Sequence, residues 1–415
     1  MSFRGVTLCS LATFVLVAPL AAQEPLDLDA YVGIVLRAHP RAGQTRAVEA
    51  LVAAERRTAG SWPDPILGLS TGHAQATPDG LFEGTEWDYS ISQTIPWPSA
   101  RSARTRGAEL GGRLMMAEDE AARWELELQS RLAFWRLSSA RRSLDLARRA
   151  DADAAAILEI TTRRADLGEA READRSRAQA ERLRVQLSMR NAEREARAAE
   201  TSLRLLAVEP LPPSLEIRSD PPRPVTAEEI EGRRQALAQS SPLLRTGLAA
   251  LDRDMAMVEV ARSSRGPDID VSWLQASEID KKSWSLSFGV RLPLFNRSRA
   301  EVARAEASAS LARAVMERTR TEVSLAFERA VQEAEAASDG LRLLQTTLVP
   351  TARRTWELVR LSYEAGETSL LDLLDAQRTL RDAEIEELTA GLDLGRAWVE
   401  IERIGGRYAV TGEKR

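Results

Sequence analysis

The chain is written twice, and the hydrophobic period changes at the same point in each copy. Around residue 168 it reads Leu167-Gly168-Glu169, then Asp174, Ala178 and Gln179. Around 366 it reads Ala365-Gly366-Glu367, then Asp372, Ala376 and Gln377, so five positions share an offset of 198. Pro63-Asp64 returns as Pro267-Asp268, Pro96 as Pro293, and His39-Pro40 is answered by Ser241-Pro242, at offsets of 204, 197 and 202. Loop insertions and deletions leave drifts of this size, and such repeats decide the architecture before any motif does. They divide the chain into a first repeat, 23–208, and a second, 225–410, followed by a tail, 411–415. The Pro-rich segment 209–224 between them reads as a stiff, extended linker.

Each repeat follows one plan. A short helix comes first (Leu28–Arg37; Ala227–Gln239), the second opened by a Thr226/Glu229 capping box, and another helix follows (Arg41–Gly60; Leu243–Ser263). Then the period falls from helical to two, over about 63–97 and 268–295. Trp284, Leu286, Phe288, Val290 and Leu292 alternate with Ser285, Ser287, Gly289 and Arg291, while Trp87, Tyr89 and Ile91 alternate with Asp88, Ser90 and Ser92. Ile269, Val271 and Trp273 continue the pattern, Ile66–Gln75 supplies the weakest strand, and Thr77–Gly84 and Glu278–Ser283 read as hairpin loops. Beyond each hairpin lies a very long helical stretch. Arg101–Arg164 contains no proline, turns at Gly168 and returns to Ala207; the second copy runs from Arg299, turns at Gly366 and returns to Ile404. Some 60 helical residues extend roughly 90 Å. Pro350 predicts a break or kink in the second ascending helix. The expected fold class is mainly α, with duplicated long helical hairpins packed through apolar seams, plus four β-strands per chain.

The strands carry the membrane reading. Aromatic residues number only 20, yet nine of them, including five of the nine Trp, fall in Trp62–Trp97 and Trp273–Phe295. Strands of about ten residues, apolar on one face and with Trp and Tyr near their ends, suit a bilayer crossing. Trp87, Tyr89, Trp273 and Trp284 are the expected girdle residues. Four strands cannot close a barrel, and an open edge is not tolerated in hydrocarbon. Three chains sharing twelve strands would enclose a water-filled bore lined by the polar face. A soluble sandwich resting on the helices is the alternative; it does not explain why both hairpins sit at matching points between long helices.

Met1–Ala22 has the charged start (Arg4), apolar run and small-residue end of an export signal. Val6-Thr7-Leu8 lacks the small residue expected before a lipidated cysteine, so Cys9 is expected to leave with the signal. After residue 22 no apolar run reaches the length of a membrane helix. A net charge of −5 argues against nucleic acid as a partner. Two His (His39 and His73) and one Cys cannot build a zinc cluster, and no nucleotide loop or nucleophile motif is present. No catalytic residue, metal site or cofactor is therefore expected.

The segment Tyr363-Glu364-Ala365-Gly366-Glu367-Thr368-Ser369-Leu370-Leu371-Asp372-Leu373-Leu374-Asp375-Ala376-Gln377, within this duplicated plan, resembles the TolC-like outer-membrane efflux proteins. Ser61-Trp62-Pro63-Asp64-Pro65 and Ser92-Gln93-Thr94-Ile95-Pro96 look most like the heavy-metal, CzcC-type branch. The resemblance implies a homotrimer, with a 12-stranded barrel in outer-membrane lipid continuing into a periplasmic helical tunnel. It implies two partners, a periplasmic adaptor and an inner-membrane RND or ABC pump. It assigns the adaptor-contact tip to Gly168, Gly366 and Tyr363, and the periplasmic gate to Asp372 and Asp375, two acids on one helix face. The sequence departs from the family at Thr368, where some members carry a basic residue, and at Arg177, where the first repeat replaces the second acid. Pairing of Asp375 with Arg177 of a neighbouring hairpin is a further expectation. A protein-secretion exit duct, a periplasmic adaptor and a structural coiled coil are the competing functions.

Overall fold

A computed structural model of the chain describes residues 25–75, 83–212, 215–218, 226–278, 281–291 and 298–407. The export segment with Cys9, the first hairpin loop at 76–82, parts of the linker, Leu292, Pro293 and the tail lie outside the described residues. Elements run in the order α1 (Leu28–Ala38), α2 (Pro40–Gly60), β1 (Ile66–Gln75), β2 (Glu83–Ile95), α3 (Pro98–Asp166) and α4 (Glu172–Ala207). The order then recurs as α5 (Ala227–Ser240), α6 (Pro242–Ser263), β3 (Asp268–Ser277), β4 (Lys282–Arg291), α7 (Arg299–Leu343), α8 (Val349–Glu364) and α9 (Leu370–Gly405).

Local chemistry sets these boundaries. Asp27 caps α1 by accepting the Ala30 N–H at 2.7 Å, and Thr226 with Glu229 forms the box that opens α5. Pro40 and Pro242 stand at the first positions of α2 and α6, where the missing N–H costs nothing. With 69 residues and no internal proline, α3 extends roughly 100 Å. Of the expected break or kink at Pro350, the break does not occur: helical structure continues through it. The chain widens into a π-helical turn, Leu344–Leu348, so that the Val349 N–H reaches the Leu344 carbonyl five residues back. That extra residue per turn accommodates a ring that would otherwise strike the preceding carbonyl.

The helix α3 packs against α2, α4, α6 and α9, so elements of both repeats lie along it. Tyr31, Phe134, Leu137 and Leu203 form the core at its waist, and the Tyr31 hydroxyl donates to the Leu203 carbonyl at 3.0 Å. A matching core in the second repeat gathers Ile230, Leu237, Phe327, Ile401 and Ile404.

A charged clasp joins the repeats between these cores. Glu127 on α3 and Glu402 on α9 are each only 7% exposed. Arg131 bonds both, at 2.7 Å to Glu127 and 2.9 Å to Glu402; Arg233 reaches Glu402 at 3.4 Å, and Arg407 pairs with Glu127. The Trp124 indole N–H donates to the Glu402 carbonyl at 3.0 Å. Burial pushes the Glu402 carboxyl above the usual range, opposed by the guanidinium groups of Arg131 and Arg233.

Candidate functional site: the sheet face and the helical tips

The four strands form one antiparallel sheet in the order β1-β2-β3-β4, so strands of the two repeats pair with each other through β2 and β3. Residues opposite one another across antiparallel strands share a face. The register aligns Leu67 with Ile91 and Leu69 with Tyr89, Ile91 with Trp273, Val271 with Phe288, and Trp273 with Leu286. One face is therefore apolar across the whole sheet. The other carries Ser70, Asp88, Ser90, Ser92, Thr94, Asp270, Ser272, Ser285 and Ser287. There Ser70 donates to Asp88 at 3.2 Å and Thr94 to Asp270 at 2.5 Å.

Among the described residues nothing covers the apolar face. Leu67 is 79% exposed, Phe288 68%, Trp284 72% and Tyr89 50%. Trp87 and Trp273 are exposed as well. An uncovered apolar face of this extent marks a surface for lipid or protein. Along β2, Trp87 to Ile95 spans roughly 26 Å, close to the apolar band of a membrane barrel once the strands tilt. The strands β1 and β4 are the sheet's two edges, each paired on one side only.

The helical tips lie at the opposite end of α3, and their two turns are the same. At the first, Gly168 (φ +77°) follows α3, and the Glu169 N–H donates back to the Arg164 carbonyl at 2.8 Å. At the second, Gly366 (φ +83°) follows α8, and the Glu367 N–H donates to the Ser362 carbonyl at 2.8 Å. Both are glycine-terminated helix ends in which a left-handed residue satisfies the last carbonyls.

Tyr363 lies between the hairpins, only 4% exposed. Its hydroxyl is 3.0 Å from the Thr161 hydroxyl, its carbonyl accepts from Arg164 at 3.1 Å, and the Arg164 guanidinium lies 5.2 Å from its ring centre. Tyr363 thus fastens one tip to the other within the chain. Asp372 and Asp375 both stand exposed on the first turns of α9. Asp372 also caps that helix, accepting the Ser369 hydroxyl at 2.7 Å and its N–H at 3.2 Å. Within the chain Arg177 is paired with Asp174 at 3.4 Å.

Sequence reasoning did not single out Glu181, which cross-links the hairpins. Its side chain on α4 is 4% exposed and takes Arg378 of α9 at 3.2 Å through one oxygen, with a second contact from the same guanidinium. Arg381 lies at 3.7 Å and Arg184 at 3.6 Å. The hydrogen bond from Arg378 holds its carboxyl below the usual range against the opposing cost of burial. A lone acid at a seam position of α4 was the available signal. Among the described residues no group of His, Cys, Asp and Glu could hold a metal, and no helix is long and apolar enough to cross a membrane.

Residues 234–407 match the family model described as outer membrane efflux protein. The chain is similar to the cobalt-zinc-cadmium resistance protein CzcC of Cupriavidus metallidurans, 28% identical over 313 residues, which are 74% of each chain. Among solved structures it is similar to CusC (TM-score 0.77, 15% identity, 91% of this chain and 92% of that one). It is also similar to the open state of the MtrE outer membrane channel of Neisseria gonorrhoeae (TM-score 0.72, 18% identity, 91% and 88%). The duplicated fold, the uncovered sheet face and these likenesses agree: the second repeat is similar to the outer membrane efflux proteins, and the chain shares the fold of the solved outer-membrane channels.

Proposed function

We propose that three copies of this chain form an outer-membrane efflux channel, a passive conduit rather than an enzyme. The observation that carries this reading is the apolar face, continuous over four strands and left uncovered, on a sheet with two open edges. Pairing β4 of one copy with β1 of the next removes every edge, as hydrocarbon requires. The polar strand face then lines a 12-stranded bore. The segment Met1–Ala22 serves as the export signal, and 23–208 and 225–410 are the two copies of an ancestral unit.

The helical tips extend into the periplasm. There they meet an adaptor that couples the channel to an inner-membrane pump of the RND or ABC class. An adaptor itself is disfavoured, because it should have one helical hairpin beside soluble β-domains. The likeness to a cobalt-zinc-cadmium resistance protein favours metal cations as cargo over secreted protein. Asp375 is exposed, without an ion pair among the described residues, and Asp372 shares its face of α9. Threefold symmetry would stack them as two carboxylate rings at the entrance, favouring cations.

Planar-bilayer recording of the purified protein tests both levels. Discrete conductance steps from a heat-dissociable trimer are expected, with block by multivalent cations weakened in the Asp372→Ala/Asp375→Ala variant. A soluble monomer without conductance would overturn the channel. Conductance with unchanged block would remove the carboxylate gate alone.

A further inference from the structure

Where the sheet meets the helices, an open groove of about 1180 Å³ runs between the end of α2, the start of α3 and the end of α6. Its lining includes Trp62, Ile95, Arg101 and Arg106. Ile95 pairs with Ile269 and so belongs to the apolar face of the sheet, which makes the groove continuous with that face. Trp62 is 52% exposed beside it.

The charges in this groove do not balance. Two acids line it, and both are already engaged: Glu109 pairs with Arg56 at 2.9 Å and Glu259 with Arg262 at 3.2 Å. Arg262 also holds Glu306 at 2.9 Å. Among the described residues Arg101 donates through Nε alone, to the Gly60 carbonyl at 2.8 Å, with its guanidinium 5.4 Å from the Trp62 ring centre. Arg106 is exposed and has no hydrogen bond or ion pair among the described residues. Over Pro98–Gly107 there are three arginines, counting Arg104, and no acid. A planar guanidinium fixed over an indole, with Arg106 lining the same groove, suits the oxygens of a phosphate.

We propose that this groove binds the headgroup of an anionic phospholipid of the periplasmic leaflet. Its phosphate is held by Arg101 and Arg106, and its acyl chains lie along the apolar sheet face beyond Ile95. The proposal rests on the outer-membrane reading, which places the sheet–helix junction at the inner surface of that membrane. Amphipathic Trp62 then sits at headgroup depth, where indoles are favoured.

Native mass spectrometry of the purified protein, titrated with phosphatidylglycerol and separately with phosphatidylcholine, tests it. The wild type should retain phosphatidylglycerol in preference by about an order of magnitude, given two arginines near the lipid surface, and the preference should shrink with added salt. Arg101→Ala/Arg106→Ala should bring the two lipids close to equal retention, while Arg101→Lys/Arg106→Lys keeps most of the preference. Equal retention of both lipids by the wild type overturns the proposal and needs no variant. A preference that persists in the alanine variant overturns it too. Bilayer conductance of the same preparation separates the outcomes: a conducting protein with no lipid preference refutes only the headgroup site, and a non-conducting one refutes the channel.

Discussion

The two repeats close their tips alike and end their return helices differently. The hydrogen bonds that Leu167, Gly168 and Glu169 donate at the first tip recur 198 residues on, from Ala365, Gly366 and Glu367 at the second. The same offset relates Val208, at the end of α4, to Gly406, at the end of α9, and both have positive φ, +62° and +76°. Val208 is 53% exposed, so its strain is borne in open space. Gly406 passes beneath the α5–α6 corner, where a Cβ would run into the Ser240 carbonyl oxygen and crowd Pro242. An exposed elbow tolerates a disfavoured side chain, whereas a packed one admits only glycine.

Exchanging the two residues breaks the comparison most severely. Gly406→Val combines positive φ for a β-branched residue with a backbone collision, and should cost about 4 kcal/mol or more. Thermal unfolding of the assembled protein in detergent should show a large drop in midpoint, or assembly should fail. Val208→Gly relieves φ strain while loosening the unfolded chain, and should change stability by less than about 1 kcal/mol. A mild Gly406→Val would show that the α5–α6 corner yields.

The second divergence lies four residues earlier. Arg204 in the first repeat binds close by in sequence, to Glu200 at 2.7 Å and to the linker carbonyls of Leu211 and Pro212 at 3.0 and 2.8 Å. Its counterpart Glu402 reaches across to Arg131 of the other repeat. The Glu402→Ala change removes the buried carboxylate that Arg131 and Arg233 share, for an expected loss of about 3 kcal/mol. The Arg204→Ala change frees only partly exposed partners and should cost about 1 kcal/mol. Equal losses in the two melting curves would mean that the clasp is no more than another surface pair.

The sheet was the most legible part of the sequence, because period two fixes which side chains share a face. Trp284, Leu286 and Phe288 announced a face that β3 and β2 then continue. The turns were legible too, since Gly168 and Gly366 supply a backbone conformation that few other residues adopt. The accommodation of Pro350 was not. A π turn depends on whether neighbouring helices hold both ends in line, which local sequence does not record. Tyr363 was noted for its motif, yet its burial against Thr161 depends on how two hairpins 200 residues apart lean together. Glu127 and Glu402 carry no local mark in the sequence; only tertiary contact separates them from their solvated neighbours.

Glu181 gives a smaller effect than Gly406 or Glu402, and it is the one with a pH signature. No repeat symmetry underlies its pairing with Arg378, because the position equivalent to Glu181 is Thr379 and that equivalent to Arg378 is Ala180. The cross-link therefore has no counterpart in the duplicated frame; it bridges α4 and α9 alone. Its guanidinium partners are partly exposed, so Glu181→Gln should cost only about 1.5 kcal/mol at neutral pH. The folded carboxyl sits below its ordinary value of 4.5, so its contribution is present above that pH. It is lost as acid carries the group through its lowered folded value. The melting curves of wild type and Glu181→Gln should therefore differ at pH 7 and converge in acid. A gap that stays constant down to acid pH would show that the variant acts through packing rather than through the charge that ties one helical hairpin to the other.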